Sequence, residues 1–434
     1  MLRQIFKQLW FYRRSNAWLF IELVVIIAVS WFIVNETWTS TYRIGNVPDG
    51  YDPEGVYCVY LTDLTSDRNG YDPEAASLKA QRENLRRFGD ALRAMPEVLC
   101  ASPISTGHPG DGVHSMAMVN IDSVTTMMFT TFERESGSDD FEVLRYGLIY
   151  PADGQMEDTP GSIIITKDMA DYLFPGQNPV GRTLSDSEKL TNMNYTEPIA
   201  GVIGSMRGAG YSDDIPYVLQ NVADMVGDNG GDQMYAFRLK PGVDGDRFLE
   251  KASREWRKTL QFGNYRVQDV YSFEDRVDSV VRIEVLDKLF IWKALWLFMI
   301  VNVLLAVAST GWLRMEERRG EIGVRRAMGG SPRRILLHYM QEVWVTFAAA
   351  AVIGILITVN IILIGKINIV APDNQHGMMP LNAADFPLLF DPVTHFLAVE
   401  GIVLGLLLLA VTAAILIPAA GALRLPPVEA LRDE

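Results

Sequence analysis

"EERRGEIGVRRAMGGSPRRILLHYMQE", residues 316–342, lies between two long apolar runs and, with Arg314 just before it, gathers seven arginines and no lysine. The chain around it has 434 residues and a formal net charge of −14, so this is a local reversal of sign. Connections between membrane spans concentrate Lys and Arg on the cytoplasmic side. The stretch therefore predicts a cytoplasmic connection, and it orients everything on either side of it.

Four runs are apolar for about the 20 residues that a helix needs to cross a bilayer: 17–35, 286–313, 340–365 and 393–420. The first is too long for the apolar part of a signal peptide, and "VNETWTSTY" after it offers no small-residue cleavage site, so it reads as an uncleaved anchor. Residues 1–16 carry Arg3, Lys7, Arg13 and Arg14 with no acid, whereas 367–392 has no Lys or Arg at all. The same charge rule then places 1–16, an amphipathic segment, the 314–338 connection and the 421–434 tail in the cytoplasm, and 36–284 and 366–392 outside. Residues 36–284 hold 40 Asp and Glu against 23 Lys and Arg, and the rest of the chain is mildly basic, 16 against 13. An exported region this acidic excludes a nucleic-acid-binding role.

The exported region mixes apolar, aromatic and polar residues as folded domains do. "GVYCVYLT" (55–62) alternates as a strand, "EAASLKAQRENLRRFGDALRAM" (74–95) sets Leu78, Leu85, Phe88 and Leu92 on one helical face, and "EVLCASPI" (97–104) is again a strand. Together they predict a βαβ unit with a parallel strand pair. "SIIIT" (162–166), the helical "KDMADYLF" (167–174), the turn "PGQNPVG" and "EPIAGVIG" (197–204) form a second mixed segment. The fold class predicted is a membrane α-helical protein of four transmembrane helices with a large α+β domain between the first and second. At its end, "YSFEDRVDSVVRIEVLDKLFIWKALW" (271–296) contains no Gly or Pro and spaces Phe273, Val277, Val280 and Glu284 helically. It reads either as an amphipathic helix packed on the domain or as a stalk continuing from the second span.

Within the arginine-rich connection, Ser331 suits a helix N-cap and Pro332 a first helical turn, while Gly329 and Gly330 break the chain before them. Two short helices, "EIGVRRAM" and "SPRRILLHYMQEV", are predicted to meet at the glycines, with His338 ending the second, where a cation suits the carbonyl end. Such an exposed elbow suits a soluble partner; a loop serving only topology would need arginines but no such geometry.

Catalytic signatures are missing. No G-x-x-x-x-G-K-[ST] occurs, because Gly365-Lys366 is followed by Ile367, and neither G-x-S-x-G nor H-E-x-x-H is found. The five histidines, 108, 114, 338, 376 and 395, make no ligand pattern. Cys58 and Cys100 fall on strands read as neighbours, where a disulfide's geometry is rarely met, so buried thiols are expected. Glu22 and Glu400 lie inside spans, where a charge is costly and a transport role is one reading; the other is that Glu22, near the cytoplasmic boundary, snorkels or meets Arg13 or Arg14, and that Glu400, two turns from the outer boundary, faces a helix interface.

"EERRGEIGVRRAMGGSPRRILLHYMQEVWV" (316–345) resembles the signature that follows the second span in permeases of the FtsX/MacB superfamily of ABC transporters, and "IPAAGALRLPPVEALRDE" (417–434) is similar to that superfamily's C-terminal ending. "YGLIYPADG", "ADYLFPGQNPVGRTL" and "PIAGVIG" resemble the MacB-type periplasmic core domain, although Tyr146-Gly147-Leu148 stands where Gly-Arg is usual and 105–145 aligns with nothing in it. The resemblance implies a non-catalytic permease subunit of the bacterial inner membrane. A separate ABC ATPase, binding ATP and Mg, would dock through Glu321, Gly323, Arg325, Arg326, Gly329, Ser331, Arg333 and Arg334. It further implies a homodimer or a heterodimer with a related permease, with a periplasmic adaptor and outer-membrane duct added in the efflux branch. The function implied is mechanotransmission, in which ATP-driven motion passes through the membrane to periplasmic export or extraction of a substrate, as in efflux or lipoprotein release; a regulator of a cell-wall hydrolase, as in the FtsX branch, is the alternative.

Overall fold

The computed structural model describes residues 13–46, 50–105, 108–109, 115–120, 126–190, 195–206, 216–225, 233–317, 320, 324, 328–329, 331–365 and 392–424. The chain divides into a helical unit and a sheet-rich unit, the second spanning Arg43–Asp287.

The elements in chain order are α1 (Arg13–Asn46), β1 (Val56–Asp63), α2 (Leu78–Arg93), β2 (Val98–Ile104), β3 (Ser115–Asn120), β4 (Thr126–Glu135), α3 (Asp140–Leu144), β5 (Leu148–Tyr150), β6 (Ile163–Thr166), α4 (Lys167–Leu173), β7 (Ile199–Ile203), β8 (Tyr217–Val222), β9 (Gln233–Leu239), α5 (Gly245–Thr259), β10 (Gln261–Phe262), β11 (Tyr265–Ser272), α6 (Phe273–Val281), a π-helical turn (Arg282–Leu286), α7 (Asp287–Glu317), α8 (Pro332–Gly365) and α9 (Pro392–Arg424).

In the sheet-rich unit one sheet has the order β10-β11-β1-β9-β2 and the other β3-β4-β8-β6-β7-β5. Strand periodicity explains how they stack, since alternate side chains leave opposite faces. From the first sheet, Val59, Leu61, Phe237 and Leu239 meet Leu85, Phe88 and Leu92 of α2 and Phe248, Ala252 and Trp256 of α5. Residues of the opposite phase on the same strands, Cys58, Met234 and Ala236, turn the other way and pack with Ile164, Ile203, Tyr217 and Leu219 of the second sheet. The far face of that sheet is covered by Met169, Ala170 and Leu173 of α4.

One strand pairing differs from the sequence reading. β1 and β2 run parallel, but β9 lies between them and is antiparallel to both. The connection through α2 is thus a split βαβ unit, and the strand that completes it comes from well over a hundred residues downstream. Cys58 and Cys100 therefore do not sit on neighbouring strands: Cys58 opposes Ala236 and Cys100 opposes Arg238 on either side of β9, both thiols buried. The direct βαβ unit is the later one, where β6 and β7 pair in parallel across α4.

A charged cluster sits inside this unit. Arg134 of β4 is buried and donates to both carboxylate oxygens of Asp140 (2.6 and 2.8 Å), to Asp158 (2.7 Å) and to the side-chain oxygen of Asn221 (2.7 Å). The amide of Asn221 in turn donates to Ser162 Oγ at 2.6 Å. Burial disfavours the Arg134 charge, but the hydrogen bonds and charges of Asp140 and Asp158 outweigh it and raise the guanidinium's pKa.

Among the described residues, four helices are long and apolar enough to cross a membrane: Ala17–Thr41, Asp287–Glu317, Arg333–Gly365 and Pro392–Leu416. Their shared core includes Leu23 and Ile27 of α1, Val303 and Val307 of α7, Val343, Phe347 and Ala350 of α8, and Val403, Leu407 and Val411 of α9. These recur at three- and four-residue spacing, as a packed helical stripe requires. α1 and α8 approach closely at Gly354, where an added Cβ would lie 2.8 Å from Ile27 Cγ2, the small-residue contact usual between membrane helices.

Candidate coupling site

Among the described residues no group of three His, Cys, Asp or Glu side chains could hold a metal ion. What the chain offers is a pair of connections: the arginine-rich stretch and the helix that joins the sheet-rich unit to α7.

Of the stretch, Glu321, Gly323, Arg325 and Arg326 lie outside the described residues, and with them most of the predicted first helix. Its end is described. The Met328 amide donates to Val324 O at 3.0 Å, and Gly329 follows with φ +88° and open space where a Cβ would point. That hydrogen bond has helical spacing, and the glycine after it takes the left-handed conformation that glycine adopts without steric cost. Ser331 then caps the next helix: its Oγ accepts from the Arg334 amide at 3.4 Å and its carbonyl from Arg334 and Ile335 at 3.1 and 3.3 Å. Of the predicted elbow, the described residues hold the left-handed Gly329 and the Ser331 cap; Gly330 and most of the first arm lie outside them.

The second arm is not a short helix, however. α8 runs unbroken from Pro332 to Gly365, because nothing after Pro332 interrupts it and Ile335, Tyr339, Met340, Val343 and Phe347 form a continuous buried stripe into the bundle. His338 accordingly lies in the second turn of a long helix instead of at a helix end, with Nε2 3.8 Å from Glu342 Oε1. Arg333 and Arg334 are exposed on the turn that precedes this stripe. Glu342 itself, a residue not singled out from the sequence, is buried and lines a small cavity with Leu19, Val307, Thr310, Tyr339 and Ile415, to which all four helices contribute. Its signal was its place in the quoted stretch, seven residues after Ile335.

The second connection is helical throughout. Ser272 caps α6 by accepting from the Asp275 amide at 3.2 Å, and Phe273, Val277 and Val281 are buried in the core between the two sheets. Phe273 also meets the rings of Tyr51 and His108, with centroids 5.9 and 5.1 Å away. Val280, expected on this stripe, is half-buried, one position off the four-residue repeat. α6 passes into the π turn, where the Asp287 amide reaches back to Arg282 O, and then directly into α7. Helical backbone thus continues from Phe273 to Glu317. A π turn inside a helix inserts an extra residue and frequently marks a functional position; hydrophobic spacing alone gives no warning of it.

The remaining polar groups of the helical unit are specific. The indole of Trp296 donates to Ser30 Oγ at 2.8 Å, that of Trp344 to Thr412 Oγ1 at 3.0 Å, and His395 Nε2 is 2.7 Å from Asn35 Oδ1. Glu22 is half-buried, with Oε2 lacking a hydrogen-bond partner; the side chains of Arg13 and Arg14, its expected partners, lie outside those described. α7 is the least covered helix, with Phe290, Leu297, Phe298, Leu305 and Trp312 exposed.

Residues 294–427 match the family model described as FtsX-like permease C-terminal. Among solved structures, the chain is similar to the periplasmic region of MacB from Actinobacillus actinomycetemcomitans, at 9% identity and TM-score 0.30, covering 53% of this chain and 94% of that one. It is also similar to a domain of a putative permease protein from Porphyromonas gingivalis (17%, TM-score 0.28, 54% and 99%) and to the extracellular domain of the noncanonical ABC-type transporter YknZ from Gram-positive bacteria (13%, TM-score 0.29, 49% and 100%). No curated protein sequence matches the chain. Four apolar helices with a sheet-rich α+β domain between the first and second define a membrane protein built around an inserted domain. Within it, residues 294–427 are similar to the C-terminal part of FtsX-like permeases.

Proposed function

We propose that this permease is the membrane subunit of a mechanotransmission system, coupling a separate ATPase to export or extraction of a substrate on the far side of the membrane, in the manner of efflux or lipoprotein release. The observation that carries this reading is the unbroken helical run from Phe273, seated in the core of the sheet-rich unit, to Glu317, at the edge of the arginine-rich connection. Helical backbone transmits displacement along its axis because every residue is fixed to the next turn. A permease without a nucleotide-binding motif requires the nucleotide chemistry elsewhere, so ATP and Mg belong to the partner.

In this reading the partner docks on Glu321, Gly323, Arg325, Arg326, Gly329, Ser331, Arg333 and Arg334, and a second permease, identical or related, covers the open face of α7. Asn302 supports the second point: it is exposed on that face, with its amide donating only to Phe298 O at 2.7 Å, and a carboxamide in hydrocarbon is better satisfied by another helix than by lipid. The charge asymmetry places both termini in the cytoplasm of the inner membrane and the sheet-rich domain in the periplasm. Reporter fusions after Asn120 and Asp373 are expected to read as periplasmic and one after Gly329 as cytoplasmic; a cytoplasmic signal at Asn120 overturns the orientation.

Docking is tested by Glu321→Arg. If the connection only sets topology, the change keeps it positive and is harmless. If it docks an ATPase, the change removes an acceptor of charge-assisted hydrogen bonds and strands a partner cation, typically about 2–5 kcal/mol. The expected result is normal expression and insertion with co-purification of the ATPase reduced at least roughly tenfold, against little change for Glu317→Arg. Wild-type recovery in Glu321→Arg reduces the stretch to a topological signal.

A further inference from the structure

The interior of the four-helix unit is nearly free of titratable groups. α7 has none between Ala294 and Leu313, α8 none between Val343 and Gly365, and α1 none between Leu23 and Asn35. The exceptions are Glu22 and Glu36 on α1, His338, Tyr339 and Glu342 on α8, and His395 and Glu400 on α9. Glu36 accepts from Ser40 Oγ at 3.1 Å, Glu342 has His338 one turn away, and Glu22 is half-buried. Glu400 has no such relief. It is 3% exposed, and neither carboxylate oxygen has a hydrogen-bond partner.

Its surroundings are well packed. Trp31 of α1 is fully buried, donates its indole N–H to Phe396 O at 3.4 Å and packs with Val399 and Phe396, so the residues flanking Glu400 are held against α1. On the same helix, further toward its start, His395 is engaged by Asn35. An ionised carboxylate two turns inside a span is costly, and among the described residues no hydrogen-bond donor offsets that cost. The basic residues of the 286–313 run, Lys288 and Lys293 of α7, are both exposed, and the nearest titratable group on α9, His395, is already engaged by Asn35.

We propose that Glu400 is a proton-binding site: it is the neutral carboxylic acid while the first turns of α9 are seated on α1, and it ionises when they part and water enters. In that step the carboxyl O–H bond breaks, the electron pair stays on the carboxylate, and the proton passes to water. Opening of this half of the bundle therefore releases one proton per chain and is favoured at alkaline pH. Nothing in this depends on the ATPase or on the substrate.

The test uses the full chain in lipid nanodiscs with carbon-13-labelled glutamate and infrared spectroscopy at neutral pH. A protonated-carboxyl carbonyl band is expected in the wild type, shifted on exchange into heavy water, retained in Glu22→Gln and Glu342→Gln, and lost in Glu400→Gln. If Glu400→Gln does not fold, the wild-type band and its survival in the other two variants still decide the question. Glu400→Gln, an uncharged isostere, is further expected to match the wild type in thermal midpoint at acid pH, below the ordinary carboxylate range, and to exceed it increasingly as pH rises from there through neutrality, because only the wild type releases a proton on opening. An ionised carboxylate at neutral pH, whether held by a metal ion or by a cation from another chain, overturns the proposal, as does a midpoint difference that does not change with pH.

Discussion

Replacing Arg134 by Leu is expected to cost the sheet-rich domain about 3–5 kcal/mol, the penalty typical of removing one partner from a buried ion pair. The side chain is 3% exposed and Asp140 is 4% exposed, so the abandoned carboxylate cannot be rehydrated without opening the domain. Asp158 is 20% exposed and recovers part of its loss from water. Expressed without the spans, residues 43–287 are expected to fold cooperatively as one unit, and in that unit Arg134→Leu should lower the thermal midpoint by roughly 10 °C, at a few degrees per kcal/mol for a domain of this size. Asp158→Asn should have a smaller effect. The double variant Arg134→Leu with Asp140→Leu should recover much of the loss, since two apolar residues leave no charge uncompensated. A loss under about 1 kcal/mol in Arg134→Leu would mean that the cluster is solvated and contributes little.

That cluster was not legible in the sequence, and the reason is physical. Arg134, Asp140, Asp158 and Asn221 look like ordinary surface residues in a region where acids outnumber bases; only the parallel pairing of β4 with β8 brings Asn221 to Arg134. The same limit produced the wrong strand pair. Alternation in 55–62 and 97–104 identifies strands and their faces, which the structure bears out in Val59 and Leu61 against Cys58, but no local pattern tells that β9 will intervene. Long apolar runs are a different kind of signal. A bilayer-length helix satisfies its own backbone, so the four helices needed no knowledge of partners to be found. The elbow was half legible: Gly329 and Ser331 act through their own backbone and cap, and both did what those residues do locally. How far the following helix extends depends on the bundle stripe from Ile335 to Phe347, which reads as span and arm at once. The π turn left no trace at all, because one inserted residue shifts the hydrophobic phase only slightly across a boundary between a domain-facing and a membrane-facing surface.

A proline at Ile283 should have the largest functional effect of any single change in the chain. Ile283 lies in the π turn and is 65% exposed, so its side chain contributes little packing and the variant reports on backbone. Proline there removes a helical N–H and clashes with the preceding turn, at a local cost of about 3 kcal/mol, which kinks or breaks the helix. Both flanking elements are anchored independently: α6 by Phe273, Val277 and Val281 in the domain core, α7 by Val303 and Val307 in the bundle. Membrane insertion and the thermal midpoint of the sheet-rich domain are therefore expected to stay near wild type in Ile283→Pro. If displacement travels along the helix, substrate-dependent stimulation of the partner ATPase in nanodiscs should fall by at least roughly tenfold, the factor that about 1.4 kcal/mol of lost coupling produces. Ile283→Ala, which trims the same side chain but keeps the N–H, should retain stimulation, and this separates backbone continuity from side-chain contact. Undiminished stimulation in Ile283→Pro would make α6 an ordinary amphipathic helix packed on its domain and the π turn a mere joint, and the mechanical reading would have to be abandoned.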